Sequence, residues 1–108
     1  MTDPAAELTT AFRNASPAVR HDLLRELAAL TGPAVLTFLA SVASDTTEAD
    51  TTRVEAIRLL ETRSLADDER RLVAHVLQSV VKFDRNEHVR ARASTALDSF
   101  RDVPGIDP

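Results

Sequence analysis

Three times in this chain an arginine is followed, three and seven positions later, by an aliphatic residue: Arg20, Leu23, Leu27; Arg53, Ala56, Leu60; Arg90, Ala93, Leu97. Those offsets place all the members of each set on one face of an α-helix. The arginines are 33 and 37 residues apart, a period typical of stacked helical units. A two-helix unit cannot bury its apolar face alone, so about three must stack, and three copies are present. The clearest lies between Asp84 and Phe100, DRNEHVRARASTALDSF, which reads as a turn, a helix N-cap at Asn86 and one amphipathic helix.

Glycine supports the same class. It occurs only at positions 32 and 105, so neither a phosphate-cradling loop nor a set of tight hairpins can be built. Helices joined by short turns remain. With 108 residues the chain is one domain. Its only aromatics are Phe12, Phe38, Phe83 and Phe100, so the core must be aliphatic.

Taken in order, Asp3 and Pro4 start a first helix to about Arg13, with Leu8 and Phe12 on one face. Ser16 and Pro17 start a second, to about Leu30, with Val19, Leu23, Leu24, Leu27 and Leu30 as its apolar stripe; Gly32 ends it. Pro33 opens a third, nearly all-apolar helix to about Ala43. Thr47 is read as the cap of a fourth, to about Arg63, with Ala56, Ile57, Leu59 and Leu60 inward. Asp67 is read as the cap of a fifth, to about Lys82, whose wide apolar face comprises Leu72, Val73, Val76, Leu77, Val80, Val81 and Phe83. The sixth ends near Arg101, and the tail 103–108 is expected to be loosely held.

An arginine that shares a face with core leucines is unusual. At about 100° per residue, Arg90 lies only ~20° from Leu97, and Arg20 and Arg53 are placed likewise. Each must find acceptors or bear the cost of desolvation.

Here the residues resemble HEAT-type repeats, in which an Asp in the turn between paired helices precedes Val-Arg, a small apolar residue and a Leu. The third unit supplies Asp84, Val89, Arg90, Ala93 and Leu97. The first supplies Asn14, Val19, Arg20, Leu23 and Leu27, with Asn in place of Asp. In the second, Asp45 stands eight residues before Arg53 rather than six, and Thr52 replaces the Val. The resemblance implies an all-α, right-handed α–α superhelix of three antiparallel helix pairs, with units at about 3–31, 33–63 and 67–101 in a domain spanning 1–102. It also implies that the three arginines are structural and bind turn carbonyls and the turn residues Asn14, Asp45 and Asp84. Tetratricopeptide and ankyrin arrays fit less well: the chain has no Trp, no Tyr and no Thr-Pro-Leu-His run.

No catalytic constellation emerges. His21, His75 and His88 are scattered, and no His-Glu-x-x-His occurs. Asp67, Asp68 and Glu69 lie at a helix start, where the dipole favours acids. There is no Gly-x-Ser-x-Gly elbow and no cysteine. The expectation is a non-enzyme without metal or cofactor. What remains is the polar face of the second helices. Stacking makes Asp22, Glu55 and Arg92 equivalent, and likewise Arg25, Arg58 and Thr95; in HEAT-type proteins this face lines the surface that grips partners.

Charge selects among partners. The net charge is −4, with three basic and seven acidic residues in 1–50 and ten of each in 51–108. Another protein is therefore the expected partner. The alternatives are a nucleic acid held by the arginines of residues 53–101, which the acidic balance disfavours, and self-association, as a homodimer, through the end helices. MTDPAAELTT lacks both a basic start and an apolar run, so no signal peptide is expected. With no 18-residue apolar run, the chain is expected to be cytoplasmic and not membrane-bound.

Overall fold

A computed structural model of the chain describes residues 4–105. Six α-helices follow one another: α1 (Pro4–Asn14), α2 (Pro17–Ala28), α3 (Pro33–Ser44), α4 (Asp50–Thr62), α5 (Asp67–Phe83) and α6 (Glu87–Leu97), the last extended by a 3-10 turn, Asp98–Phe100. There is no strand among the described residues.

Helices pack on their sequence neighbours as α1 with α2, α3 with α4, and α5 with α6. Across these pairs α2 lies on α4 and α4 on α6, while α3 lies on α5 and touches α1. The result is two layers, α1, α3, α5 and α2, α4, α6, in a slab with extents of 41 × 29 × 17 Å.

One apolar cluster runs through it. Leu24, Leu27, Leu39, Ile57, Leu60, Val73, Leu77 and Val89 are fully buried, joined by Phe12 and Phe100. Ala56 and Ala93, the middle members of two Arg-x-x-apolar sets, are also fully buried. Small residues there keep the neighbouring helices close without leaving a void.

The helix starts are locally encoded, in two cases by a different residue from the one expected. Asn86 caps α6, its Oδ1 accepting from the backbone N–H of His88 and Val89. Thr47 does not cap α4. It sits in a turn, where its N–H and hydroxyl both donate to Asp45 Oδ1, and the helix starts later, after Ala49. Asp67 is the first residue of α5 rather than its cap; Ala66 holds the cap position, and its N–H donates to Glu69 Oε1. Gly32 has φ of +118° and precedes α3, whereas α2 has already ended at Ala28. The expected cap at Asp3 lies outside the described residues.

The apolar stripes need correction at their edges. Val19, Leu72 and Phe83 are 48%, 43% and 77% exposed, and Val76 is only half-buried. Helical phase puts Leu72, Val76 and Phe83 on a single flank of α5, beyond the arc that α3 and α6 cover. Of the tail 103–108, residues 106–108 lie outside the described residues; the chain just before and at its start packs back on the helices. Val103 is buried in the core, and Arg70 donates to Ser99 O and to Asp102 Oδ1 while its guanidinium lies 4.9 Å from the Phe100 ring centroid.

Candidate partner-binding surface

Of the three arginines of the repeated pattern Arg53 is buried and Arg20 and Arg90 are half-buried, and each takes a different set of acceptors. Arg20 Nε donates to the carbonyls of Phe12 and Ala15, and Nη2 to that of Arg13. Its Nη1 reaches both carboxylate oxygens of Glu48, at 2.7 and 2.8 Å. Its plane also lies 5.1 Å from the Phe12 ring centroid, a cation–π contact. Arg53 is 3% exposed and forms an ion pair with the buried carboxylate of Asp84. Burial depresses its pKa, against the opposing pull of Asp45 and Asp50. Arg90 Nη1 donates to the carbonyl of Asp84 at 2.6 Å.

The turn acids therefore serve the preceding pair of helices. Asp84 serves Arg53 of α4, and Glu48 serves Arg20 of α2. Asp45, expected as the acceptor in its own unit, instead organises its loop through Thr47. Its carboxyl is held below the usual range chiefly by the Thr47 hydroxyl and then by the Thr47 N–H. Asn14 donates to the Thr10 carbonyl and has no ion-pair role.

The six strip residues lie on α2, α4 and α6, and three of them meet at one carboxylate. Glu55 pairs with Arg58 at 2.6 Å on its own helix and with Arg25 of α2 at 3.5 Å. Arg92 is not free on an open face: it crosses to Glu61 of α4 at 2.7 Å, with both side chains about a quarter exposed. Asp22 and Thr95 are exposed, the Thr95 hydroxyl donating to the Ala91 carbonyl. The strip is thus an ion-paired lattice at its centre, three arginines on two carboxylates, with Asp22 and Thr95 accessible at its margins.

Residues not singled out from sequence complete the framework. Arg63 extends from the end of α4 to the carbonyls of Ala28 and Leu30, both at 2.8 Å, closing the C-terminus of α2. Its position at the C-cap of α4 is compatible with a dipole role, but acceptors more than 30 residues away leave no local trace. Glu48 stands in the one turn that is two residues longer, which was its only mark in the sequence. An open cleft of about 540 Å³ lies beside Phe12, Arg13, Arg20, Phe38 and Glu48, and Arg20, one of its two cations, is already held by Glu48. No group of three metal-ligating side chains occurs among the described residues, and no helix is long and apolar enough to cross a membrane.

Two expected results follow from this geometry. Arg90→Ala strips a half-buried carbonyl of its donor and should cost about 1–3 kcal/mol. Arg92→Ala breaks only a partly exposed pair and should cost about 1 kcal/mol or less; helical circular dichroism in denaturant melts would order the two, and a reversed order would refute the placement of Arg90.

Acid should also destabilise the chain through Glu55. Its carboxyl is held below 4.5 chiefly by the hydrogen bond from Arg58, then by the charges of Arg58 and Arg25, against an opposing effect of burial. A depressed folded-state value means stability that is present above the unfolded value and is lost as pH falls through the folded one. Stability should therefore decline below about pH 4.5, and Glu55→Gln should flatten that slope; an unchanged slope counts against the Glu55 lattice.

No family model matches this chain, and neither a curated protein nor a solved structure does.

Proposed function

We infer that this chain is a short HEAT-like solenoid, a right-handed α–α superhelix, that binds another protein through the face of its second helices and has no enzymatic activity. The observation that carries the reading is the layer α2, α4, α6, in which each helix packs on the next. The polar side chains of that layer are cross-linked by Arg25–Glu55–Arg58 and Glu61–Arg92. Such a lattice holds the helices in fixed register and leaves a rigid surface whose specificity falls to its exposed margins, Asp22 and Thr95. Rigid, pre-ordered surfaces lose little entropy on association.

The test uses the accessible margin. Asp22→Arg with Thr95→Arg should abolish recovery of a partner captured from the native host by the tagged 108-residue chain, while Arg71→Glu, away from the strip, should leave it intact. Equal recovery by both variants removes the strip from the binding site.

The competing reading, a nucleic-acid binder, meets an obstacle in the same lattice. Phosphate binding is favoured by unpaired cations, and Arg58 and Arg92 are held by Glu55 and Glu61 while Arg25 shares Glu55 with Arg58. Binding to mixed-sequence duplex or single strands should be weaker than about 10 μM at physiological salt, below the range of specific sites. Fluorescence anisotropy would measure it, and sub-micromolar binding lost in Arg58→Glu/Arg92→Glu would transfer the strip to a nucleic acid.

A further inference from the structure

The apolar face of α5 is wider than the core it serves. Leu72 and Phe83 are 43% and 77% exposed, and Val76 between them is half-buried. At about 100° per residue the three fall within ~40° of one another. The buried residues Val80, Val73, Leu77 and Ala74 follow on one side only, roughly 40–160° from Val76. The stripe belongs to the layer α1, α3, α5 and not to the second-helix layer. Ser44 and Thr46 reach only its C-terminal end, where they line an open hollow of about 70 Å³ with Ser79, Val80 and Phe83. The segment after α6 takes another side of α5. Val103 and Pro104 line a cleft with Asp67, Arg70 and Arg71, which lie roughly 120–220° around the helix from Val76.

Two features of the stripe select its occupant. The first is spacing. With Ser79, which is exposed, the positions 72, 76, 79 and 83 are separated by four, three and four residues, the intervals of a coiled-coil seam. That series reads the same in both directions. An antiparallel copy of the helix therefore meets every member, Leu72 against Phe83 and Val76 against Ser79. The second feature is charge. α5 opens with Asp67, Asp68 and Glu69 and carries Lys82 in its last turn, with an exposed Arg85 in the turn beyond. In the register that sets Leu72 on Phe83, Asp68 of one copy comes to within roughly 3 Å, along the axis, of Arg85 of the other. Two-fold symmetry repeats that contact at the opposite end of the seam.

We propose that the stripe is a homodimer interface in which two copies pair α5 against α5, antiparallel about a two-fold axis midway between Val76 and Ser79. A stripe of palindromic spacing, with acids at one end and bases at the other, is complementary to itself. The seam is a single pair of 17-residue helices, about 25 Å long. It falls short of the ~1,600 Å² of a standard interface, so the association is weak, with Kd on the order of 100 μM. The dimer leaves the second-helix strip open and stands whether or not that strip binds a partner.

Sedimentation velocity of the chain from about 10 μM to about 1 mM, a range that brackets that affinity, tests the pairing. The chain should pass from monomer to dimer as its concentration rises. Phe83→Ser, which removes an exposed ring twice per dimer, should weaken dimerisation by about tenfold or more. Asp68→Arg and Arg85→Asp, both at exposed positions, each set like charges together at both ends of the seam, and each chain alone should be monomeric. An equal mixture of the two restores opposite charges at both ends and should dimerise. Circular dichroism of each chain confirms folding. A chain that stays monomeric at the highest concentration, a dimer indifferent to Phe83→Ser or to either charge reversal, or a mixture that stays monomeric overturns the proposal. If the chain is monomeric and Phe83→Ser instead abolishes recovery of a partner from the native host, the stripe belongs to a different protein and the homodimer falls.

Discussion

Arg53→Ala is expected to be the most damaging single substitution in the chain, at about 3–5 kcal/mol, the range seen when one member of a buried ion pair is removed. The side chains of Arg53 and Asp84 are 4% and 2% exposed. Truncating the arginine leaves a carboxylate facing an apolar interior with its countercharge gone. Asp84 is also committed locally, since its Oδ1 accepts from the Asn86 N–H at the start of α6, so it cannot swing out to water without loosening that turn. The pair itself need not be a large net source of stability: Arg53 Nε and the neighbouring Thr52 hydroxyl are buried without acceptors among the described residues. Its replacement by Arg53→Met with Asp84→Asn, which keeps the turn acceptor and removes both charges, should therefore recover much of the loss. Chemical denaturation followed by circular dichroism would measure both. A cost below about 1 kcal/mol for Arg53→Ala would mean that the two groups are solvated and that α4 is not joined there to the turn between α5 and α6.

Leu77→Ala is expected to cost about 2–5 kcal/mol. Leu77 is fully buried on α5, in the cluster that also holds Leu60 and Val73. Removing most of its side chain forfeits transfer free energy and leaves a cavity that stiff β-branched neighbours refill poorly. Val76→Ala, one residue earlier but half-buried, should cost clearly less. The contrast makes the test one of helix phase: equal losses at 76 and 77 would place α5 in a different rotation.

Much of the fold was legible because it rests on local rules. Helical periodicity identifies six segments, Pro17 and Pro33 start two of them, and Asn86 is recognised as a cap from its own neighbourhood. The placement of Arg20, Arg53 and Arg90 beside leucines on the core side also follows from residue spacing, which is a property of one helix. Misplaced starts at Thr47 and Asp67 are errors of the same local kind, in which nearby competitors, Asp45 for the Thr47 hydroxyl and Glu69 for the Ala66 N–H, took the hydrogen bond.

The sequence by itself determined that this chain is built of helices, where their apolar faces run, and that three arginines must find acceptors near the core. Only the tertiary structure decided which acceptors those are. Turn carbonyls and Asp84 were the acceptors expected for Arg90 of the same unit; the carbonyl of Asp84 does serve Arg90, while its carboxylate goes to Arg53. Glu61, Glu48 and Arg63 acquired their partners in the same way, across 31, 28 and more than 30 residues of chain. The exposure of Val19, Leu72 and Phe83 was equally out of reach. Periodicity defines a helix's apolar arc, but how much of that arc is covered depends on the neighbouring helix's offset and rotation, which arise from packing the whole stack at once.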